Sequence, residues 1–374
     1  MADESNNSNK EERQGRLKLD YTPHKRKWWH IPLLILLIAG TAYIIRTNNP
    51  DTTPKNTSTT QWNNQNTHKT EGKIFGTFYH ITYQCNENLD DSIIKVLNLV
   101  DNSLSPFNES SIISSINSNK SFNTNKMFDD VFNIAQAVSK TTDGAFDITV
   151  APLVNAWGFG FKNKEKISDN LIDSLKSLVG YDKVSLKDGV VTKSVPGVTL
   201  DCSAVAKGYG VDAVGKMLES KGIENYMVEI GGEVRTAGCN PNNENWRIGI
   251  NKPDDDSLSI SNDIQQIIAV SNISMATSGN YRNFYTEGNK KYAHTIDPHT
   301  GYPVQHSLLS ATVLAKECAI ADAFATAFMV MGMEKAKDII KSHPEIMAFF
   351  IFADEKGNNQ VWYTESLKKY MVDN

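Results

Sequence analysis

Lys207 stands where a cation is out of place. In the segment Asp201 to Asp212, DCSAVAKGYGVD, a strand-like stretch (Val190 to Leu200, with a turn at Pro196-Gly197) ends on the carboxylate of Asp201. A helical pattern then begins, with Lys207 in its first turn. The first turn of a helix carries about half a positive charge, so a lysine there is disfavoured unless an anion joins it. Gly208, Gly210 and Gly215 follow, each costing about 1 kcal/mol against alanine in a helix interior. That cost is tolerated where a backbone must approach something closely. The segment reads as an anion-binding, phosphate-type strand-to-helix turn. The alternative is a helix capped by Ser203 with Lys207 turned to solvent.

A second segment, Cys318 to Met333, CAIADAFATAFMVMGM, is apolar on every face except for Asp322 and Thr326. Four residues apart, these two share one helix face. A carboxylate in such surroundings must be paired or bind a metal. Asp and Thr oxygens suit Mg²⁺, which often bridges a protein carboxylate and a substrate phosphate. The alternatives are a Thr326 hydroxyl bonded back to the Asp322 carbonyl, and an Asp322 paired with Lys207 or Arg282. In Tyr292 to Val304, YAHTIDPHTGYPV, His294 precedes the turn Asp297-Pro298-His299-Thr300-Gly301, in reach of acid–base work near neutral pH or simply structural. His294, His299 and His306 match no standard zinc spacing.

Four further segments carry weaker signals. EIGGEVRTAG (229–238) sets Gly231-Gly232 between two strands, as a bulge or close-approach point. ATSGNYRNF (276–284) offers hydroxyls and Arg282 to a phosphate, or forms an ordinary turn. GAFDITVAPLVNAWGFG (144–160) is dense in aromatics, with Pro152 where a helix can start. Its Phe146, Trp157 and Phe159 either stack on a planar ligand or, the plainer reading, pack a core. SPFN (105–108) is a loop of the same ambiguous kind.

These residues need a scaffold. Helical spacing of apolar residues predicts helices over Leu89–Leu104 and Met127–Lys140. Strands are expected at Lys73–Gln84, Tyr226–Ile230, Glu233–Ala237, Trp246–Asn251 and Ile267–Ser271, with a hairpin of Ala348–Phe352 and Gln360–Thr364. Strands and helices mixed without strict alternation predict an α+β fold with mixed or antiparallel sheets. The 374 residues have a net charge of −5 and no dense basic patch, which argues against nucleic acid as the main partner. The four cysteines, Cys85, Cys202, Cys239 and Cys318, are widely spaced and read as buried free thiols.

The N-terminus departs from this globular composition. Residues 1–27 form a basic tail ending in Lys25-Arg26-Lys27, and residues 28–45 form an uncharged run just long enough to cross a bilayer. The positive-inside rule puts the tail in the cytoplasm and all that follows outside it. An uncleaved signal anchor is expected rather than a cleaved signal peptide, because the basic region is long and no A-x-A site follows. Residues 46–70, rich in Thr, Asn and Gln, read as a flexible tether, and 71–374 as the folded domain.

In order, FGTFYHITY, SPF, GAFDITVAPLVNAWGFG, DCSAVAKGYGVD, EIGGEVR, ATSGNYRNF, HTIDPHTGYPV and CAIADAFATA resemble the FAD:protein FMN transferase (ApbE) family, from about Glu71 onward. The resemblance implies Mg²⁺ and FAD outside the cytoplasm, transfer of FMN to an acceptor protein's threonine hydroxyl, and release of AMP. It implies FAD contacts at Phe75 (where the family usually has methionine), Ala145, Phe146, Asp147, Asp201, Lys207 and Ile296. Metal ligation is implied at the Ala204 carbonyl, Asp322 and Thr326. His294 falls on the histidine of the family's H-x-x-D-P-x-T-G run. Cys202 and Ser203 stand where glycine or serine is more usual. The implied chemistry uses Lys207 against the leaving group's charge and either His294 or Asp322 as base. The implied acceptor is a subunit of a membrane redox complex. A FAD pyrophosphatase or a non-catalytic FAD-binding protein are the alternative functions.

Overall fold

The computed structural model describes Trp62 and residues 66–162, 164–253, 263–280, 284–287 and 290–373. The chain divides into two units, Met1–Thr52 and Thr53–Asn374, and the described residues all belong to the second. The basic tail and the expected membrane anchor at 28–45 lie outside them. Among the described residues no helix is long and apolar enough to cross a membrane.

The fold is α+β, and its frame is an eight-stranded sheet. Among the described residues the strands are β1 (Thr67–Ile74), β2 (Thr77–Gln84), β3 (Val184–Lys187), β4 (Val190–Lys193), β5 (Tyr226–Ile230), β6 (Glu233–Ala237), β7 (Trp246–Asn251) and β8 (Ile264–Val270). They continue with β9 (Ser274–Gly279), β10 (Phe284–Glu287), β11 (Lys290–Ala293), β12 (Leu308–Ala315), β13 (Met347–Ala353), β14 (Asn359–Tyr363) and β15 (Met371–Val372). The large sheet runs β1-β2-β5-β6-β9-β12-β13-β14 and every neighbouring pair in it is antiparallel. A three-stranded sheet, β15-β8-β7, and the hairpins β3-β4 and β10-β11 complete the strands.

Successive residues of a strand point to opposite faces, and here both faces are buried. Ala276, Val313 and Phe350 pack with the helices, while their neighbours Met275, Leu314 and Phe349 pack against Ile248, Ile268 and Val270 of the small sheet. Double burial explains the unbroken apolar run of β13. Among the described residues the helices are α1 (Asp90–Leu104), α2 (Ile112–Asn117), α3 (Lys126–Thr141), α4 (Ala151–Ala156), α5 (Asp169–Lys176), α6 (Ser203–Ser220), α7 (Cys318–Met331) and α8 (Met333–Ser342). Pro152 sits in the first turn of α4, where its missing N–H costs nothing.

Several sequence expectations need correction. The tether is shorter than 46–70, because Thr67–Ile74 is a strand. Trp62, the large apolar residue of that stretch, is buried, set edge-on to Trp246 at 5.8 Å, and its indole donates to Thr67 Oγ1 at 2.7 Å. The single strand expected at Lys73–Gln84 is a hairpin turning through Phe75 and Gly76, both left-handed (φ 51° and 73°). The strand expected from Val190 to Leu200 stops at Lys193. Helix α6 starts at Ser203, so Lys207 lies in its second turn, and no side chain caps the helix from Cys202. Instead Asp201 Oδ1 accepts from the Ser203 N–H at 2.8 Å.

Helices α6 and α7 lie against each other, and glycine lets them. A Cβ on Gly208 would meet the Cys318 carbonyl oxygen at 2.5 Å, a Cβ on Gly210 the Phe75 ring at 2.7 Å, and a Cβ on Gly215 the Arg235 Cδ at 2.7 Å. The expected close approach is real, but at all three positions it is to this chain's own elements. Alanines on α7 allow the same closeness on its other sides.

Candidate active site

A cleft of about 630 Å³ lies where the starts of α6 and β6, the middle of α7, and the loops around residues 145–160 and 294–298 meet. That volume falls in the range of small-molecule and cofactor sites. Asp201, Ala204 and Lys207 line it from the α6 side, Asp322 and Thr326 from α7, Ala145, Phe146 and Asp147 from the loop before α4, and His294 and Ile296 from the segment after β11. Phe75 is the expected site residue that does not line it; its ring covers Gly210 instead.

Each wall has a local cause. The loop before α4 is held by Asp147, whose Oδ1 accepts from the N–H and the hydroxyl of Thr149, both at 2.7 Å. Burial pushes its carboxyl above the ordinary value, against the pull of those bonds. Trp157, at the C-terminal end of α4, donates its indole N–H to the Gly301 carbonyl at 2.9 Å, tying the end of this helix to the turn that follows Ile296. Its ring stacks on Tyr292 at 5.4 Å, which makes Trp157 a packing residue. Phe146 is buried in the core but borders the cleft, as does Phe159, whose ring lies 6.4 Å from that of His294. Ile296 bridges to Pro303 across the turn.

The charged floor comes from three elements. Lys207 Nζ donates to Glu233 Oε1 at 2.7 Å and lies 3.9 Å from Asp322 Oδ1. Asp322 Oδ2 accepts from the Gly208 N–H at 3.0 Å. Burial works to lower the Lys207 pKa, but the Asp322 and Glu233 carboxylates outweigh it and hold the ammonium charged. Burial pushes the Glu233 carboxyl above its ordinary value, against the pull of the Lys207 ammonium. The Thr326 hydroxyl pairs with Ser278 Oγ of β9 at 3.1 Å rather than with the Asp322 carbonyl. Of the two cations considered for Asp322, Lys207 is its neighbour; Arg282 lies outside the described residues.

Glu233 escaped the sequence reading. It opens β6 directly after the left-handed pair Gly231-Gly232, and the glycines are the distinctive residues of that motif. Its partner is a lysine on another element, so no local spacing announced it. The three histidines do not converge: His306 faces the Met329 carbonyl, His299 sits beside Asp297, and His294 is the one that borders the cleft. All four cysteines are free thiols, Cys85 being half-buried and the others buried.

The donor set fits a hard divalent cation. Asp322 and Thr326 offer oxygens one turn apart on α7, and Ala204 stands on the facing wall. Two buried carboxylates share one ammonium, leaving net negative charge, and Glu233 Oε2 has no hydrogen-bond partner. Among the described residues no group of three or more His, Cys, Asp or Glu could hold a metal, so the fit is to a cation completed by substrate oxygens, the usual habit of Mg²⁺.

An antiparallel sheet with helices on one face, and a cofactor-sized cleft at the α6–α7 contact lined by carboxylate, hydroxyl and ammonium groups, define an α+β protein built to hold a charged cofactor-like ligand. Comparison with known proteins makes the class specific. The model of the ApbE family matches residues 75–350, and the chain belongs to that family. The FAD:protein FMN transferase of Vibrio cholerae is 36% identical over 311 residues, covering 80% of this chain and 91% of the relative. That of Escherichia coli K12 is 32% identical over 316 residues, covering 81% and 88%. The solved flavin transferase ApbE from Vibrio cholerae superposes with a TM-score of 0.73 at 33% identity, over 81% of this chain and 99% of that one. The flavinyl transferase ApbE of Pseudomonas stutzeri gives 0.72 at 29% identity, over 84% and 98%.

Proposed function

We propose that this chain is an FAD:protein FMN transferase that moves the FMN half of FAD to a threonine hydroxyl of an acceptor protein and releases AMP. The observation that carries the proposal is the convergence of Asp201, Lys207, His294, Asp322 and Thr326, far apart in sequence, on one cleft. Membership of a family whose relatives carry that activity in their names supports it.

The reaction forms one phosphoester bond and breaks one phosphoanhydride bond. The threonine oxygen attacks the phosphorus on the FMN side of the pyrophosphate, the bond to AMP breaks, and the hydroxyl proton passes to a base. Asp322, Thr326 and the Ala204 carbonyl would hold Mg²⁺, which when bound neutralises pyrophosphate charge and polarises the phosphorus. Lys207, kept charged by its two carboxylate neighbours, supplies positive charge where AMP develops negative charge. His294 is the better base, because Asp322 already spends Oδ2 on the Gly208 N–H and is assigned to the cation. The aromatic wall at Phe146 and Phe159 gives the isoalloxazine an apolar surface.

The basic tail and the apolar run at 28–45 support a single-pass anchor in the cytoplasmic membrane, with the catalytic domain outside the cytoplasm. An acceptor in a membrane redox complex would then be within reach of the tether. The test is to incubate the full chain with FAD, Mg²⁺ and an acceptor bearing an accessible threonine, and to follow the acceptor's mass and AMP together. Transfer predicts an FMN mass on the acceptor and AMP release that depends on the acceptor. Equal AMP release without acceptor would instead mark a pyrophosphatase, and FAD left intact would mark a binding protein.

A further inference from the structure

Glu233 enters the transfer chemistry set out above only by keeping Lys207 charged, yet its side chain is only 4% exposed and borders the cleft. One oxygen takes the Lys207 ammonium at 2.7 Å, and the other has no hydrogen-bond partner. Burying a carboxylate with half of its acceptor capacity unused is costly. A counter-ion for Lys207 does not require that cost, because Asp322 stands 3.9 Å from the same ammonium. A direct ammonium–carboxylate hydrogen bond spans about 2.7–2.9 Å, so the lysine is in contact with Glu233 and short of contact with Asp322. Its four-carbon stem is flexible and can close that gap.

The consequence falls on Asp322. With Lys207 drawn toward β6, the described residues offer Asp322 Oδ1 only a cation at 3.9 Å, while Oδ2 is fixed by Gly208. We propose that Glu233 is a positioning residue that holds Lys207 off Asp322, so that Asp322 Oδ1 stays open to a divalent cation and the lysine stands beside that cation instead of in its place. This rests on the metal site proposed above. Two anchors make the arrangement rigid: Glu233 follows the tight Gly231-Gly232 turn and pairs with Ile230, and Lys207 lies on the helix that Gly208 seats against α7.

Removing the glutamate charge releases the lysine toward the carboxylate that remains. The test is Mn²⁺ titrated into the full chain without FAD, with free Mn²⁺ followed by electron paramagnetic resonance and folding checked by thermal melting. Glu233→Gln is expected to weaken Mn²⁺ binding about ten- to a hundredfold, the usual effect of losing a group that orients metal ligands. Adding Lys207→Met to that variant is expected to restore wild-type affinity or better, which mere loosening of the fold would not allow. Glu233→Gln binding within twofold of wild type, or a double variant as weak as the single, overturns the proposal while leaving the metal site standing. Absence of Mn²⁺ binding by the wild type removes the metal site and this proposal together. Should Glu233→Gln fail to fold, Lys207→Met alone decides: affinity at least equal to wild type supports the proposal, and a loss overturns it.

Discussion

Helix α6 and strand β6 are joined by two charge clusters that differ in what they leave unpaired. Both use an acidic and a basic residue from the same two elements, and both reach α7. In the first, Asp212 takes Arg235 Nη1 at 2.7 Å on one oxygen and the Ala319 N–H at 2.9 Å on the other. Arg235 also donates from Nε to Tyr226 at 3.0 Å and from Nη2 to Glu219 at 2.8 Å, and Tyr226 closes the ring on Glu219 at 2.6 Å. In the second, Lys207, Glu233 and Asp322 carry one positive and two negative charges, and an oxygen of Glu233 has no partner. The first cluster also does the work of a helix cap, since α7 has no side-chain cap of its own and Asp212 supplies one from α6.

The difference separates structure from function. A closed network in which each ionised group has a direct hydrogen-bonded partner makes a rigid joint. A cluster beside a cleft with a carboxylate oxygen still unpaired retains capacity for a ligand, and such clusters gather at functional sites. Arginine suits the first because its fork makes several fixed bonds, and lysine suits the second because it is a mobile point charge.

The largest expected effect is on the open cluster. Asp322→Ala should lower the transfer rate on the order of a thousandfold, since a metal ion supplies several kcal/mol of transition-state stabilisation, while the protein still melts cooperatively. The rate is read as FMN added to acceptor, and near-normal transfer would erase the distinction drawn here. Asp212→Ala should do the reverse. It leaves the Ala319 N–H without its acceptor and removes the more buried of Arg235's two carboxylate partners, costing about 3–5 kcal/mol in a denaturant titration, with transfer per folded molecule retained. A smaller loss, about 1–3 kcal/mol, is expected for Gly215→Ala, whose Cβ would stand 2.7 Å from Arg235 Cδ and strain the closed cluster alone.

The smallest effect is a pH dependence at Glu219. Burial acts to raise its carboxyl, but hydrogen bonds from Tyr226 and Arg235 win and hold it below the ordinary value. A depressed carboxylate stabilises the fold above its unfolded pKa, about 4.3, and that contribution fades as pH falls through the folded value. The pair is half open to water, so its worth is on the order of 1 kcal/mol or less. Melting wild type and Glu219→Gln in parallel should show a gap at pH 7 that closes below about pH 4; a constant gap would mean that the charge is irrelevant.

What the sequence disclosed follows from where the information lies. Tyr226–Ile230, Glu233–Ala237 and Trp246–Asn251 were legible as strands because apolar alternation and a Gly-Gly turn mark them locally. Thr67–Ile74, THKTEGKI, was hidden because it carries little apolar signal and owes its strand state to pairing with β2. The small-residue strand Ser274–Gly279 was hidden likewise: its neighbours β6 and β12 define it. At the site, the oddity of Lys207 and the isolation of Asp322 in an apolar helix pointed to a shared task. Glu233 stayed invisible because its role depends on a lysine that only the folded sheet and helix bring to it.

The central claim is transfer at the open cluster, and acceptor mass tests it most directly. Full chain, FAD, Mg²⁺ and a threonine-bearing acceptor should yield the FMN adduct with one AMP released per adduct, and Asp322→Ala should yield neither. An unmodified acceptor, with AMP released at the same rate whether or not the acceptor is present, would contradict it.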